Sequence, residues 1–321
     1  MAATAWFDKD LGTGEIRISA TAVCIGCTGM LSFLKTRICH EEIIILLGET
    51  KPRRIAPPKI WVFPNLSTIL HYKDMFYFLI SRDFSTRYRQ TLLGVGWFVL
   101  TPLVSVVVFS IFFGGILKVP SNGIPYPLFS YAGLLPWTLF LSGTIRVSGS
   151  LVANGSLISK VYFPRLIIPL SNLIFGILDF GISLIILLVM MVIFGYIPTI
   201  NIIWLPFLLL LVLLASFGIG LWFAALSVQF RDAPQILAFA LSILFYATPV
   251  IYPSNLVNGA WVALYNLNPM VGVVEGFRWA LLGIGSPPDS AILISVVFSL
   301  VIVVSGMFYF SYVEQFIADI M

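Results

Sequence analysis

Asp179 is the ionisable residue that stands deepest inside the long apolar runs of this chain. It follows Arg165 by fourteen residues, about 21 Å along a helix, which is near or beyond the middle of a bilayer. Carboxylates inside a membrane are costly, and they often mark a path for ions or polar substrates. Asp179 therefore either faces a polar translocation path or accepts hydrogen bonds from a neighbouring helix, and the sequence leaves both interpretations open.

The long apolar runs contain few residues of the types that catalyse reactions. Both histidines, His40 and His71, precede the first long apolar run, so a Ser/His/Asp arrangement cannot assemble within a membrane. Cys24, Cys27 and Cys39 lie in the first forty residues, but one C-x-x-C without a second pair is weak evidence for zinc. We therefore predict no catalytic residue and no metal site, and we interpret the cysteines as plain thiols.

The sequence also lacks the features by which a transporter usually obtains its energy. No Gly is followed by Lys, so the G-x-x-x-x-G-K-[ST] loop that binds nucleotide phosphates is absent. Ion-coupled transporters usually keep several ionisable groups in their spans, and here only Asp179 qualifies. If ATP drives this protein, a separate polypeptide must bind the ATP and its Mg²⁺, and we expect this chain to bind no cofactor.

The composition is that of a membrane protein. Of the 321 residues 59% are hydrophobic and 10% are charged, compared with about 25% charged in an ordinary soluble domain. Twelve of the 18 Lys and Arg residues fall within residues 1–89, so the net charge of +4 belongs to the N-terminal part. We expect contacts with membrane lipids and no nucleic-acid partner.

The first part of the chain differs from the rest. Residues 1–65 lack a run long and apolar enough to span a membrane, and we interpret them as a poorly structured extension. The extension ends in a basic, proline-stiffened linker over 51–59. Residues 68–321 then form the membrane domain.

A helix is predicted over residues 72–90, just before the first span. Phe76, Ile80 and Phe84 recur every four residues, which is typical of one helical face. Basic residues lie toward the other side. Such a helix with apolar and basic sides usually lies in the membrane interface, so we predict an N-terminal amphipathic interface helix.

Charge-free windows predict six transmembrane helices in an all-α protein. The window between Asp232 and Glu275 is longer than one span and shorter than two, and proline and asparagine interrupt it. We therefore predict a re-entrant segment between spans five and six, which requires cover by protein or by a water-filled cavity. The six predicted spans are 95–117, 128–151, 166–194, 202–228, 236–252 and 291–312.

Residues 154–171, called the elbow below, interrupt two apolar runs with a basic and aromatic sequence. Lys160 and Arg165 flank Tyr162 and Phe163. Lys and Arg are concentrated in the connections on the elbow's side of the membrane, so the positive-inside rule places the elbow and both termini in the cytoplasm. The re-entrant segment is then extracellular.

Four landmarks in order resemble the polysaccharide and polyol-phosphate export permeases of ATP-binding-cassette transporters, which include O-antigen, capsule and teichoic-acid exporters. Residues 82–102 resemble the interface helix and first span of that family, and 160–170 resemble its coupling helix. Residues 268–278 are similar to its extracellular gate, and 314–320 to its C-terminal tail. The resemblance begins at about residue 68 and leaves the extension out.

The resemblance implies that the elbow docks on a separate ATPase subunit and transmits its closure. Aromatic side chains of the kind that anchor interfaces suit this task, although an ordinary interfacial loop would also carry aromatics. The implied coupling residues are Lys160, Val161, Tyr162, Phe163, Pro164 and Arg165.

The resemblance also implies sites for a lipid-linked substrate. Arg82, Arg87 and Arg89 would meet its phosphates, or else ordinary anionic lipid, which attracts the same residues. Arg146, at the inner end of the second span, is expected to reach toward the head groups. The implied pore or gate residues, alongside Asp179, are Phe109, Phe113, Tyr246, Tyr252, Pro269, Gly272, Gly276 and Arg278. The alternatives are that the aromatics face lipid or pack within the bundle, as most aromatics in spans do, and that the two glycines only relieve crowding.

Together these features predict a permease and not an enzyme. The expected protein is a homodimer in the bacterial inner membrane that exports a lipid-linked polysaccharide such as O-antigen, powered by a separate ABC ATPase. A drug or small-lipid exporter of the same superfamily is the nearest alternative. An ion-coupled secondary transporter and a membrane-embedded transferase are more distant ones.

Overall fold

A computed structural model describes the backbone of residues 72–88, 96–160, 163–257, 265, 267–285 and 290–320. The predicted extension, its basic linker and the domain boundary near residue 65 lie outside these residues. Within them the chain is helical and contains no strand. The prediction of an all-α membrane protein is therefore confirmed at this level.

The helices follow the apolar segments of the sequence in order. The second helix continues as a π-helix over Ser110–Ile116, and a short 3₁₀ helix, Ile200–Trp204, leads into the sixth. The helices are α1 Lys73–Tyr88, α2 Gly96–Phe109, α3 Tyr126–Ala153, α4 Gly155–Ile158, α5 Ile167–Ile193, α6 Leu205–Gln229, α7 Ala233–Tyr246, α8 Pro269–Leu282 and α9 Ser290–Ile320.

Five helical segments of the described chain are long and apolar enough to cross a membrane. They correspond to the first four predicted spans and to the last one. They are Val99–Ile116, Tyr126–Ala153, Ile167–Ile193, Ile200–Gln229 and Ala291–Glu314.

The predicted span 236–252 corresponds to α7, which has only 14 residues. Such a helix rises about 21 Å, short of the roughly 30 Å hydrocarbon core. It ends at Tyr246 because Pro249 lacks an amide hydrogen and disfavours helical backbone in the residue before it. A crossing at this place therefore needs the residues after α7 as well.

Helix α3 forms the centre of the bundle and packs against α5, α6 and α8. In its most apolar window 78% of the residues are buried, compared with 6% in Val99–Ile116 of the first span. Helix α6 also packs closely on α9, because Gly218 and Gly306 face each other. A Cβ on Gly306 would lie 2.7 Å from the carbonyl oxygen of Gly218. Small residues of this kind let membrane helices approach closely.

Helix α1 lies against α5. Its most buried side chain is Leu79, whereas Phe84 of the predicted apolar face is 44% exposed. Tyr77 and Phe78 are exposed as well, so apolar side chains occur on more than one side of the helix. The helix itself was predicted correctly, and its position in the membrane interface stays a prediction.

Candidate functional site

The elbow is held by a small apolar cluster that joins it to α1 and α5. Leu79 of α1 is buried with Phe163, Ile167 and Ile168. Phe163 is 5% exposed. The expectation that its ring itself meets a partner on the surface therefore needs correction, because in the described chain the ring anchors the elbow from within.

Hydrogen bonds from the side chain of Arg82 connect α1 to the start of the elbow. Arg82 donates from Nη2 to Oδ1 of Asn154 at 2.7 Å, and from Nε to Oδ1 of Asp83 at 3.0 Å. Asn154 is buried and donates from Nδ2 to the carbonyl oxygen of Ser150, in the last turn of α3. The guanidinium of Arg82 thus positions the elbow, whatever else it contacts.

The other predicted members of the basic cluster cannot be placed in the same way. The side chain of Arg87 and all of Arg89 lie outside the described residues, as do Val161 and Tyr162 of the elbow. Lys160 is exposed on the elbow.

The far end of the chain also meets the elbow. Arg165 donates from its backbone N–H to Oε1 of Glu314 at 3.3 Å, and its Nη1 donates to the carbonyl oxygen of Glu314. Pro164, next to Arg165, is half-buried. Segments from α1, α3, α5 and α9 therefore converge on the elbow.

Inside the bundle, Arg146 of α3 forms an ion pair with Asp179 of α5 through Nη2 and Oδ2. The guanidinium carbon also lies 5.0 Å from the ring centroid of Phe175. The side chains of the pair are 19% and 17% exposed. The expectation that Arg146 reaches toward the head groups is therefore wrong, because a carboxylate on the neighbouring helix binds it.

The ion pair lines a cavity of about 410 Å³ between the first span, α3 and α5. Hydroxyl groups from three helices share the wall with apolar side chains. Asp179 thus accepts a hydrogen bond from a neighbouring helix and borders this cavity, while its place on a translocation path stays a prediction. The hydroxyl residues are Thr101, Ser105, Thr138, Ser142 and Ser183.

A second buried arginine, Arg278, contacts several segments at the end of the bundle opposite the elbow. Arg278 of α8 is 4% exposed, and it donates to the carbonyl oxygens of Phe129, Val250 and Tyr252 at 3.3, 2.7 and 3.5 Å. Its guanidinium carbon lies 3.7 Å from the ring centroid of Phe129. Burial lowers the pKa of Arg278 to about 10, so it stays charged at neutral pH. Arg278 therefore fixes the segment after α7 against α3.

The start of α8 is shaped by Asn268 and Pro269. Asn268 caps the helix by accepting a hydrogen bond from the backbone N–H of Met270 at 3.0 Å, and Pro269 takes the first helical position. The side-chain amide of Asn268 donates to Oγ1 of Thr248 at 2.9 Å. Pro269 is thus buried at a junction between α8 and the end of α7.

Gly272 and Gly276 allow two different helices to approach α8. A Cβ on Gly272 would lie 2.5 Å from the carbonyl oxygen of Ala291 in α9. A Cβ on Gly276 would lie 2.8 Å from a methyl group of Leu208 in α6. Both glycines are therefore required by close packing of α8 within one chain.

The predicted pore aromatics occupy two kinds of surroundings. Phe109 is stacked on Phe245 at 6.1 Å between ring centroids and contacts Phe113 edge-on, so these rings pack between α2 and α7. Tyr246 is 70% exposed, and its carbonyl oxygen accepts a hydrogen bond from the hydroxyl group of Tyr252 at 3.0 Å. Of these residues Tyr246 has the side chain most available to another molecule.

Residues 75–282 match the sequence pattern of the ABC-2 type transporter family. The chain belongs to this family. The matched range begins in α1 and ends with α8, so it includes the elbow, the Arg146 and Asp179 pair and the contacts of Arg278.

Several proteins of known name are similar to this ABC-2 chain. The O-antigen export system permease protein RfbA of Myxococcus xanthus is 29% identical over 213 residues, which cover 65% of this chain and 81% of the relative. RfbA of Klebsiella pneumoniae is 27% identical over 209 residues, covering 64% and 79%. The polysialic acid transport protein KpsM of Escherichia coli is 24% identical over 209 residues, covering 64% and 80%.

Three residues of this ABC-2 chain gain their importance only from the structure. Leu79, Asn154 and Gly133 carry no chemical signal in the sequence, yet each contacts a predicted site residue. Gly133 is the clearest, because a Cβ there would lie 2.6 Å from Nη2 of Arg278. The sequence feature that could have pointed to Gly133 is the presence of a glycine within an otherwise apolar span.

Proposed function

We propose that this ABC-2 chain is the membrane subunit of an ATP-driven exporter of a surface polysaccharide, carried on a lipid. The observation that carries the proposal is its similarity, over about four fifths of their length, to relatives named for O-antigen export and polysialic acid transport. The chain acts as a permease and performs no hydrolysis itself. A separate ATPase, with its ATP and Mg²⁺, supplies the energy.

The elbow is the proposed contact with the ATPase. Its sequence is basic, Lys160 is exposed, and its interior is fastened to α1, α5 and α9. Fastening on several sides suits a lever, because a push on the elbow then moves helices and does not merely bend a loop. Phe163 would contribute by holding the elbow rigid.

The proposed protein has six spans, with α7 and the residues after it making the fifth crossing. Helix α8 is then a re-entrant helix on the outer side, and Arg278 donates to the carbonyl oxygens of Val250 and Tyr252, which follow α7 and which lipid would leave unpaired. The Lys and Arg distribution places the elbow and both termini in the cytoplasm of a bacterial inner membrane. A homodimer provides the second half of the channel.

Two charged groups receive roles in transport under this proposal. Arg82, whose side chain is 37% exposed, stands beside the elbow where a substrate head group would enter, together with Arg87 and Arg89. Asp179 and its cavity would border the route through the membrane, with its charge neutralised by Arg146.

The test is deletion of the gene, followed by measurement of surface polysaccharide and by affinity purification of the tagged chain. We expect surface polysaccharide to disappear, lipid-linked polymer to accumulate inside, and one ABC ATPase to co-purify. Unchanged surface polysaccharide with loss of drug resistance would favour the alternative of a drug exporter. Transport by the purified chain alone, dependent on a proton or sodium gradient, would contradict the proposed energy source.

A further inference from the structure

A second cavity lies beside Arg278, at the opposite end of the bundle from the elbow. Its volume is about 280 Å³, just below the roughly 300 Å³ at which small-molecule pockets begin. Phe129, near the start of α3, contributes to the wall, whereas the elbow follows the end of that 28-residue helix. The separation is about 40 Å along the helix axis.

Four polar side chains line this cavity without satisfying one another. Glu275 lies one turn before Arg278 and is half-buried. Asn122, from the loop before α3, also lines the cavity, as do Ser254 and Asn255 of the short 3₁₀ helix Ser254–Leu256. In the described part of the chain, no hydrogen bond or ion pair involves the side chain of any of the four. A half-buried carboxylate usually has a partner, so this cavity has a ready place for a hydrogen-bonding ligand.

The charges in the cavity restrict the class of ligand. Burial raises the pKa of Glu275, and the positive charge of the nearby Arg278 opposes that shift. Arg278 already donates hydrogen bonds to three carbonyl oxygens, so it is a poor ligand for a phosphate. One carboxylate beside an arginine is also a poor cation site, since divalent cations take several oxygen ligands.

A neutral polyhydroxylated ring fits these groups. A carboxylate accepts two hydroxyl hydrogens, and each side-chain amide both donates and accepts. The volume suits one ring and not a longer segment.

We propose that this cavity, lined by Asn122, Ser254, Asn255 and Glu275, binds one uncharged sugar unit of the polymer as it leaves on the outer side. The inference rests on the proposed function, because that function supplies both the polymer and the sidedness. Binding at the exit would hold the emerging chain and oppose its return into the channel.

The test uses the permease and its ATPase together in lipid nanodiscs. The probe is the host's own surface polysaccharide, released from its lipid by mild acid, and binding is measured by isothermal titration calorimetry. Glu275→Gln keeps the side-chain shape but removes a charged acceptor, and it is expected to weaken binding roughly tenfold or more. Asn255→Ala, at an exposed position, is expected to weaken binding without affecting folding.

Asp232→Asn is the matched control, because Asp232 is exposed and its side chain does not cap α7. It removes the same charge elsewhere, and its affinity should equal that of the parent. Parent-like affinity in both Glu275→Gln and Asn255→Ala, with normal melting temperatures, would overturn the inference. That result would leave the proposed function standing, because gene deletion and the test of the energy source examine that function separately.

Discussion

The pair of Arg146 and Asp179 allows a sharp test of what an intramembrane carboxylate does in this protein. The two side chains are mostly buried, at 19% and 17% exposure, and each comes from a different helix. Removing one partner of a buried pair typically costs about 3–5 kcal/mol, because the remaining charge stays uncompensated. We expect the lower end, about 3 kcal/mol, for Asp179→Asn, since the cavity leaves some access to water.

The double variant Arg146→Gln with Asp179→Asn separates structure from transport. If the pair serves packing, the double variant is more stable than either single variant, and the coupling between the two changes is about 0.5–3 kcal/mol. Unfolding in a denaturing detergent, followed by circular dichroism, gives the three free energies. Surface polysaccharide should then return in the double variant.

Two results would refute this reasoning about the ion pair. Additive effects of the two changes would mean that the side chains do not stabilise each other. A stable double variant that still fails to export would show that Asp179 acts on the substrate or on a coupling ion, and that its contact with Arg146 is secondary.

Two further predictions concern the ends of the bundle. Gly133→Ala should lower the melting temperature about as much as Arg278→Gln, because the added Cβ would meet Nη2 at 2.6 Å and displace the same guanidinium; normal melting of Gly133→Ala would contradict this. Phe163→Ala should remove about 3–5 kcal/mol of packing from the elbow and uncouple ATP hydrolysis from export. Lys160→Ala, at an exposed position, is the control for stability, and an unchanged ATPase coupling ratio in Phe163→Ala would disprove the role of the anchor.

The long spans could be predicted from the sequence because most charged residues lie in the connections, with Arg146 and Asp179 as exceptions inside spans. The predicted segment 128–151 differs from the observed Tyr126–Ala153 by two residues at each end. The same criterion is less informative for 236–252, where apolar residues continue past the end of α7. Composition indicates how hydrophobic a segment is, whereas Pro249 determines where its helix ends.

Contacts between distant residues could not be predicted in this way. Arg146 and Asp179 are 33 positions apart, and no local pattern links a basic residue to a carboxylate on the next helix. Phe163 was predicted to anchor a partner, and the sequence did not indicate that its ring is buried in a cluster with Leu79. Charge counts locate a loop relative to the membrane, and only packing decides which of its side chains remain exposed.

The contacts of the elbow form in a definite order as the chain is synthesised. Its contact between Arg165 and Glu314 joins positions 149 residues apart, and the contact between Arg82 and Asn154 spans 72. At 5–20 residues per second, Glu314 is synthesised roughly 7–30 s after Arg165. The elbow therefore emerges early from the ribosome and receives its last hydrogen bonds only after the final span exists, so its completion is a late step in the biogenesis of the membrane domain.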